Sequence, residues 1–253
     1  MKISPFSALL ATFLFNGSAL RAESAAELIR KGDVCSQKLD EAGALKCYLP
    51  AEKMEPANVA LLVSIARQYR HSMNAASTDE DKQRFGRTAV EYSQRAVALN
   101  PNSADAQLAL AISYGKILPF EGNRQKAEHS KQIKEAVDKA LRLNPHNDLA
   151  WHVLGRWHKT ISGLNVVMRT FAQIAYGTPP EATNEDAVKC FEKAIELNPN
   201  RLMHYIELGM TYGQMGETVT AKRYLEKGLA MPSEDKDDPD FKMHGREALA
   251  KLR

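Results

Sequence analysis

Cysteine is scarce in this chain, and the common motifs of enzyme chemistry are missing. The three cysteines, Cys35, Cys47 and Cys190, form no CxxC pair and fit no zinc-ligand spacing. No GxxxxGK[ST], GxGxxG or GxSxG occurs, so the usual phosphate cradles and nucleophile elbow are excluded. His152 and His158 stand six apart, not the i,i+4 that puts two imidazoles on one helical face for a metal. No metal site, catalytic residue or cofactor is therefore expected, and the sequence points away from an enzyme. Strand-type alternation is also lacking. The formal charge is only +3, too small for whole-molecule attraction to nucleic acid, so any electrostatic function must be local.

What the chain does have is a recurring stop. Glu55-Pro56, Leu99-Asn100-Pro101, Leu143-Asn144-Pro145 and Leu197-Asn198-Pro199 each close a run of apolar residues on a 3.6 period. Proline cannot continue a helix and pushes the residue before it out of the α region, so the pattern predicts stacked helical hairpins. The clearest unit begins near Leu202. With Tyr205 at position 4, Leu208, Gly209, Tyr212, Ala221, Leu225 and Gly228 fall at positions 7, 8, 11, 20, 24 and 27 of a tetratricopeptide unit. Ala187, Phe191 and Ala194 of the preceding unit recur 34 residues later as Ala221, Leu225 and Gly228.

Successive prolines stand 45, 44 and 54 residues apart, more than a 34-residue unit needs. The excess falls between the two helices of each hairpin: Tyr69 to Ala89 spans 20 residues, Tyr114 to Ile133 spans 19 and His158 to Ala187 spans 29, where nine are expected. A final amphipathic stretch, 241–252, follows the acidic turn 234–240 and is expected to cap the array. The fold class expected is all-α: a right-handed superhelix of about five tetratricopeptide-like hairpins, with insertions between paired helices and a C-terminal capping helix.

The N-terminus is expected to be separate from this domain. Met1-Lys2, an apolar stretch from Phe6 to Phe15 and small residues around Ala19 and Ala22 suggest a secretory signal over 1–22, leaving 23–253 as the repeat domain. Export, to a periplasm, is the expectation; a short membrane anchor over residues 5–20 is the alternative, although a span needs roughly 20 apolar residues. Cys35 and Cys47 fall on the two helices of one hairpin, which leaves a disulfide and a pair of buried thiols both open.

Positions 2, 5, 9, 12 and 13 of each first helix should line the concave wall. They nominate Val63, Arg67, Arg70 and His71, then Leu108, Ile112 and Lys116, then Leu149, His152, Arg156 and Lys159, then Met203, Ile206 and Met210. Five cations without an acid beside an apolar stretch suit an anionic head on an apolar body, a phospholipid or an acidic peptide. Pairing with second-helix acids such as Glu91 or Glu135 is the competing arrangement. In the longest insertion, Ile161, Leu164, Val167, Met168, Phe171, Ile174 and Ala175 form one apolar face of a helix closed by Gly177-Thr178-Pro179-Pro180. Core packing is the plain expectation for it; a lid on the groove or a membrane-contacting face is the functional one.

Two of these stretches carry a family resemblance. His152-Val153-Leu154-Gly155-Arg156-Trp157, then Gly177-Thr178-Pro179-Pro180 leading into Ala187 to Ala194, together with Tyr114 through Glu121-Gly122 to Asn144-Pro145, resemble the regulator of microtubule dynamics family over roughly residues 60 to 230. The resemblance implies a non-enzymatic adaptor, associated in animal members with microtubules and in a mitochondrial-membrane member with phospholipid binding. The function expected is a binding module for an anionic amphiphile. The alternative is a pure protein scaffold, membrane-associated or tubulin-directed, with its groove holding a partner.

Overall fold

The computed structural model describes residues 23–178 and 181–252. The expected signal or anchor over 1–22 lies outside the described residues, as do Pro179 and Pro180. Among the described residues the chain is helical throughout, with no strand and no helix long and apolar enough to cross a membrane.

Five hairpins follow one another. They are α1 (Ala25–Gln37) with α2 (Glu41–Met54), α3 (Val59–Ala75) with α4 (Asp79–Leu99), and α5 (Ala104–Ile117) with α6 (Asn123–Leu143). Next come α7 (Asp148–Ser162), the insertion helix α8 (Val166–Tyr176) and α9 (Asn184–Leu197), then α10 (Leu202–Gln214) with α11 (Thr218–Ala230), and finally α12 (Asp238–Lys251). The starts are written in the sequence. Ser24 and Glu27 make a capping box, and Asp40, Asn58, Thr78, Ser103, Asn147, Asn165 and Thr183 each accept a backbone N–H three residues on. Losing such a cap costs about 0.5–2 kcal/mol.

The Asn-Pro stops share one geometry. Asn100, Asn144 and Asn198 all leave their helices with φ near −140° and ψ near 90°, the extended state that a following proline enforces. Each asparagine side chain then accepts the N–H two residues on. The proline carbonyl, free because the helix has ended, is taken up six residues later: Gln107 and Trp151 donate to Pro101 and Pro145 at 2.8 Å, and Tyr205 to Pro199 at 3.0 Å. These three donors occupy position 4 of their repeats, so the long polar or aromatic residue there fastens each turn to the next helix.

Close approach of paired helices rests on glycine. A Cβ at Gly32 would lie 2.4 Å from the Tyr48 ring, at Gly155 2.8 Å from the Phe191 ring, and at Gly209 2.8 Å from Leu225 and 2.9 Å from its backbone nitrogen. Tyr48, Phe191 and Leu225 are the largest fillers at position 24, and all three are fully buried.

The insertions lengthen the hairpins and leave the stack intact. Helices α4 and α6 run 21 residues each against 13 for α11. The longest insertion breaks at Gly163 and restarts at the Asn165 cap as α8, which packs against α6. First helices of successive hairpins touch one another, α3 with α5, α5 with α7 and α7 with α10, and so form the inner wall.

Candidate functional site

Along this wall the expected cations are present and are not free. Asp235 and Asp237, in the turn before α12, reach back across the wall. Arg67 donates to Asp235 at 3.2 Å, with His71 3.8 Å from the same carboxylate. Lys116 donates to Asp237 at 2.7 Å, beside a second donor, Asn74. Lys236, between the two acids, pairs with Glu41 of α2 at 2.8 Å. Burial pushes the Asp237 carboxyl up, but Lys116, Asn74 and His71 more than offset it and hold it below the usual carboxylate range.

Further along, Glu207 of α10 lies only 4% exposed, forms an ion pair with Arg156 at 3.2 Å and accepts from Lys159. Arg70 is buried and makes no ion pair among the described residues; it donates to Ser113 at 3.0 Å, and burial pulls its guanidinium down to about 10. It therefore stays charged at neutral pH.

The expectation of five cations without an acid is thus corrected. The acids come from α10 and from the C-terminal turn, not from Glu91 or Glu135. The apolar half is covered as well. Met203 and Met210 pack against the same Leu202–Ile206–Leu225 cluster as Phe241, Leu249 and Leu252 of the C-terminal helix, Ile206 is fully buried beneath Gly228 and Gly245, and Leu108 belongs to the core with Val137 and Leu154. Val63 and Ile112 remain half-buried on the wall.

At the floor lies a buried chain of polar groups. Asp148 and the His204 Nε2 are 3.0 Å apart, and the Nδ1 atoms of His204 and His152 are also 3.0 Å apart. Burial pushes both imidazoles below their ordinary values, so both are neutral. A carboxylate only accepts, so His204 carries its proton on Nε2 and accepts at Nδ1, which obliges His152 to donate from Nδ1. That leaves the buried His152 Nε2 as an acceptor without a donor. The Phe241 ring stands edge-on to His152, centroids 5.8 Å apart at 81°, with the Arg156 guanidinium 5.9 Å from its centroid.

The insertion helix is elsewhere. Leu164, Met168 and Phe171 are half-buried, α8 packs against α6, and Tyr176 meets Ser130 of α6 at 3.0 Å, so α8 is no lid on the wall. Its expected apolar face is only partly covered: the break at Gly163 leaves Ile161 on α7, and within α8 Val167 and Ile174 are 59% and 73% exposed, with Val166 beside them at 80% and only Ala172 buried.

The family model described as regulator of microtubule dynamics protein 1–3 matches residues 24–253. The chain belongs to that family. Regulator of microtubule dynamics protein 1 of Bos taurus is 29% identical over 244 residues, covering 94% of this chain and 77% of the relative. The Homo sapiens protein of the same name is 28% identical over 174 residues, and there the match spans 68% of this chain but only 55% of the relative's own length. A tetratricopeptide-repeat protein from Thermus thermophilus superposes with a TM-score of 0.63 at 18% identity, covering 90% of this chain and all of that one, which establishes the shared fold.

For this family member, sequence reasoning missed Asp148, His204, Glu207, Asp235 and Asp237. Repeat register offered a signal for the first two: positions 1 and 5 of α7 meet position 3 of α10. No short-range signal marks the two turn acids, whose partners lie 121 to 168 residues away. Cys35 and Cys47 are free and half-buried, not a disulfide.

Proposed function

We propose that this family member is a non-enzymatic adaptor whose inner wall takes an acidic stretch of a partner polypeptide. The observation that carries the reading is the wall's present occupant, an acidic turn held by side chains of α2, α3 and α5. Tetratricopeptide-like hairpins present such a wall because their first helices stack side by side. A phospholipid fits less well, since Met203 and Met210 are packed against the Leu202–Ile206–Leu225 core, which α12 also closes, and form no open apolar channel for acyl chains. The relatives' name carries microtubules to this chain as one setting for a partner; a secretory signal over 1–22 would place the partner outside the cytosol instead.

A photo-crosslinking residue at Val63 on the wall, with Val219 on the outer face of α11 as control, tests the reading. The expected result is polypeptide adducts at Val63 and none at Val219. Adducts confined to lipid, or equal at both sites, would overturn it.

A further inference from the structure

Resting on that reading, we infer that residues 233–237 are a tethered pseudo-ligand, and that the partner stretch which displaces them alternates carboxylate, cation and carboxylate at successive positions. The alternation is read from the ion pairs themselves, which a turn presents: the Asp238 N–H donates to the Asp235 carbonyl at 3.2 Å and Asp237 is in the right-handed helical region. Asp235 pairs with Arg67 and Asp237 with Lys116 and Asn74, while Lys236 pairs with Glu41 of α2. The wall thus discriminates against uniform acid as well as against base, because a third carboxylate in place of Lys236 would meet the Glu41 carboxylate.

The turn is built to hold this shape and to let go. Asp238, 4% exposed, accepts from the backbone N–H groups of Glu234 and Asp235 at 2.7 and 2.8 Å, and the Asp235 side chain accepts from the Asp237 N–H at 3.2 Å. These bonds are internal to the turn and preset its geometry. The bonds to the wall are ion pairs with side chains 24% to 48% exposed at Arg67, Lys116 and Asp237, which water screens and a competing segment can replace like for like. Anchorage of the C-terminus is separate: α12 is held by apolar contacts to α10 and α11, with Gly245 against Ile206 and Leu229. The turn can leave the wall while the cap stays docked.

The test uses the full chain and a labelled peptide of sequence Ser-Glu-Asp-Lys-Asp-Asp-Pro-Asp, the protein's own residues 233–240. The Asp235→Asn, Asp237→Asn double variant should bind it at least tenfold more tightly than wild type does. A peptide with glutamate for the lysine should bind severalfold more weakly, and adding Arg67→Ala and Lys116→Ala should abolish binding. A folded double variant that binds no better than wild type, or that prefers the all-acidic peptide, overturns the inference. Should the variant not fold, a fluorophore carried at position 233 of the otherwise wild-type chain decides: excess peptide must lower its anisotropy as the turn leaves the wall, and an unchanged anisotropy overturns the proposal. Polypeptide adducts at Val63 without peptide binding would leave the adaptor standing and remove the charge pattern; peptide binding without adducts would do the reverse.

Discussion

Lys116 and Asp237 meet at 2.7 Å although 121 residues separate them, and this contact ties the third hairpin to the turn that leads into the cap. Both side chains are 24% exposed, so the pair is partly screened, and Asn74 shares the same carboxylate. Lys116→Ala should cost about 1 kcal/mol in thermal or urea unfolding. The exchanged pair, Lys116→Asp with Asp237→Lys, should recover part of the loss while either single reversal should not. Equal stability of all four proteins would show that the turn does not rest on the wall in solution.

Gly209 sets a harder limit than Gly155. A Cβ at Gly155 meets the Phe191 ring, whereas one at Gly209 meets the backbone nitrogen of Leu225 and the carbonyl of Ala221 at 2.9 and 3.0 Å. Backbone cannot rotate away. Gly209→Leu should therefore destabilise by roughly 1–3 kcal/mol or more as overpacking, and Gly155→Leu by a similar amount through the buried ring. An unchanged melting temperature for Gly209→Leu would contradict the packing of α10 on α11.

Periodicity made most of the fold legible. Asn-Pro stops, small residues at position 8 and large ones at position 24 are local or nearly local signals, and each appears in the helix pairing. The insertions were legible as excess length but not as form, because whether ten extra residues extend a helix or fold back depends on the breaks they contain: Gly163 and Asn165 are present in one insertion and have no counterpart in α4 or α6. On the wall, register found the cations correctly and misjudged their state. Arg67 and Lys116 look unpaired in any window of sequence, and only the curvature of the stack brings residues 235 and 237 to them. Ile206 shows the same limit on the apolar side, since its cover is supplied by α12.

Native cysteine reactivity separates the three thiols. Burial pushes Cys190 up to about 12 and leaves its sulfur with little thiolate at neutral pH. Cys35 and Cys47 are half-buried and free. Iodoacetamide on the native protein should label Cys35 and Cys47 well before Cys190, which should react only on unfolding. Early labelling of Cys190 would mean that the contact between α7 and α9 opens readily.

We further propose that the mature protein lacks the first residues of the sequence. Protein recovered from its native cell should begin near Leu20 or Glu23, read by N-terminal sequencing. An intact Met1 would remove the export proposal while leaving the repeat domain untouched.

Acid sensitivity should come first from histidines, and in a defined window. His152, His204 and His71 are all pushed below their ordinary value by burial, His71 to about 4. In the unfolded chain each would protonate near pH 6.5. Below that point the unfolded state binds protons that the folded state refuses, so stability is complete above about pH 6.5 and falls as the pH drops toward 4. Each histidine contributes up to about 1.4 kcal/mol of loss between pH 7.5 and 5.5. The carboxylates act in a lower window: Asp148, Glu207 and Asp237 are held below their ordinary values, so what they contribute is present above their unfolded values near pH 4 and is lost only beneath it. Urea unfolding at pH 7.5 and 5.5 should therefore show a drop of several kcal/mol in wild type and a smaller one in His71→Gln, which removes one titrating imidazole without touching the Asp148–His204–His152 chain. A pH-independent stability across that interval would mean that these rings are solvated in the folded protein and that the buried chain beneath Phe241 does not form.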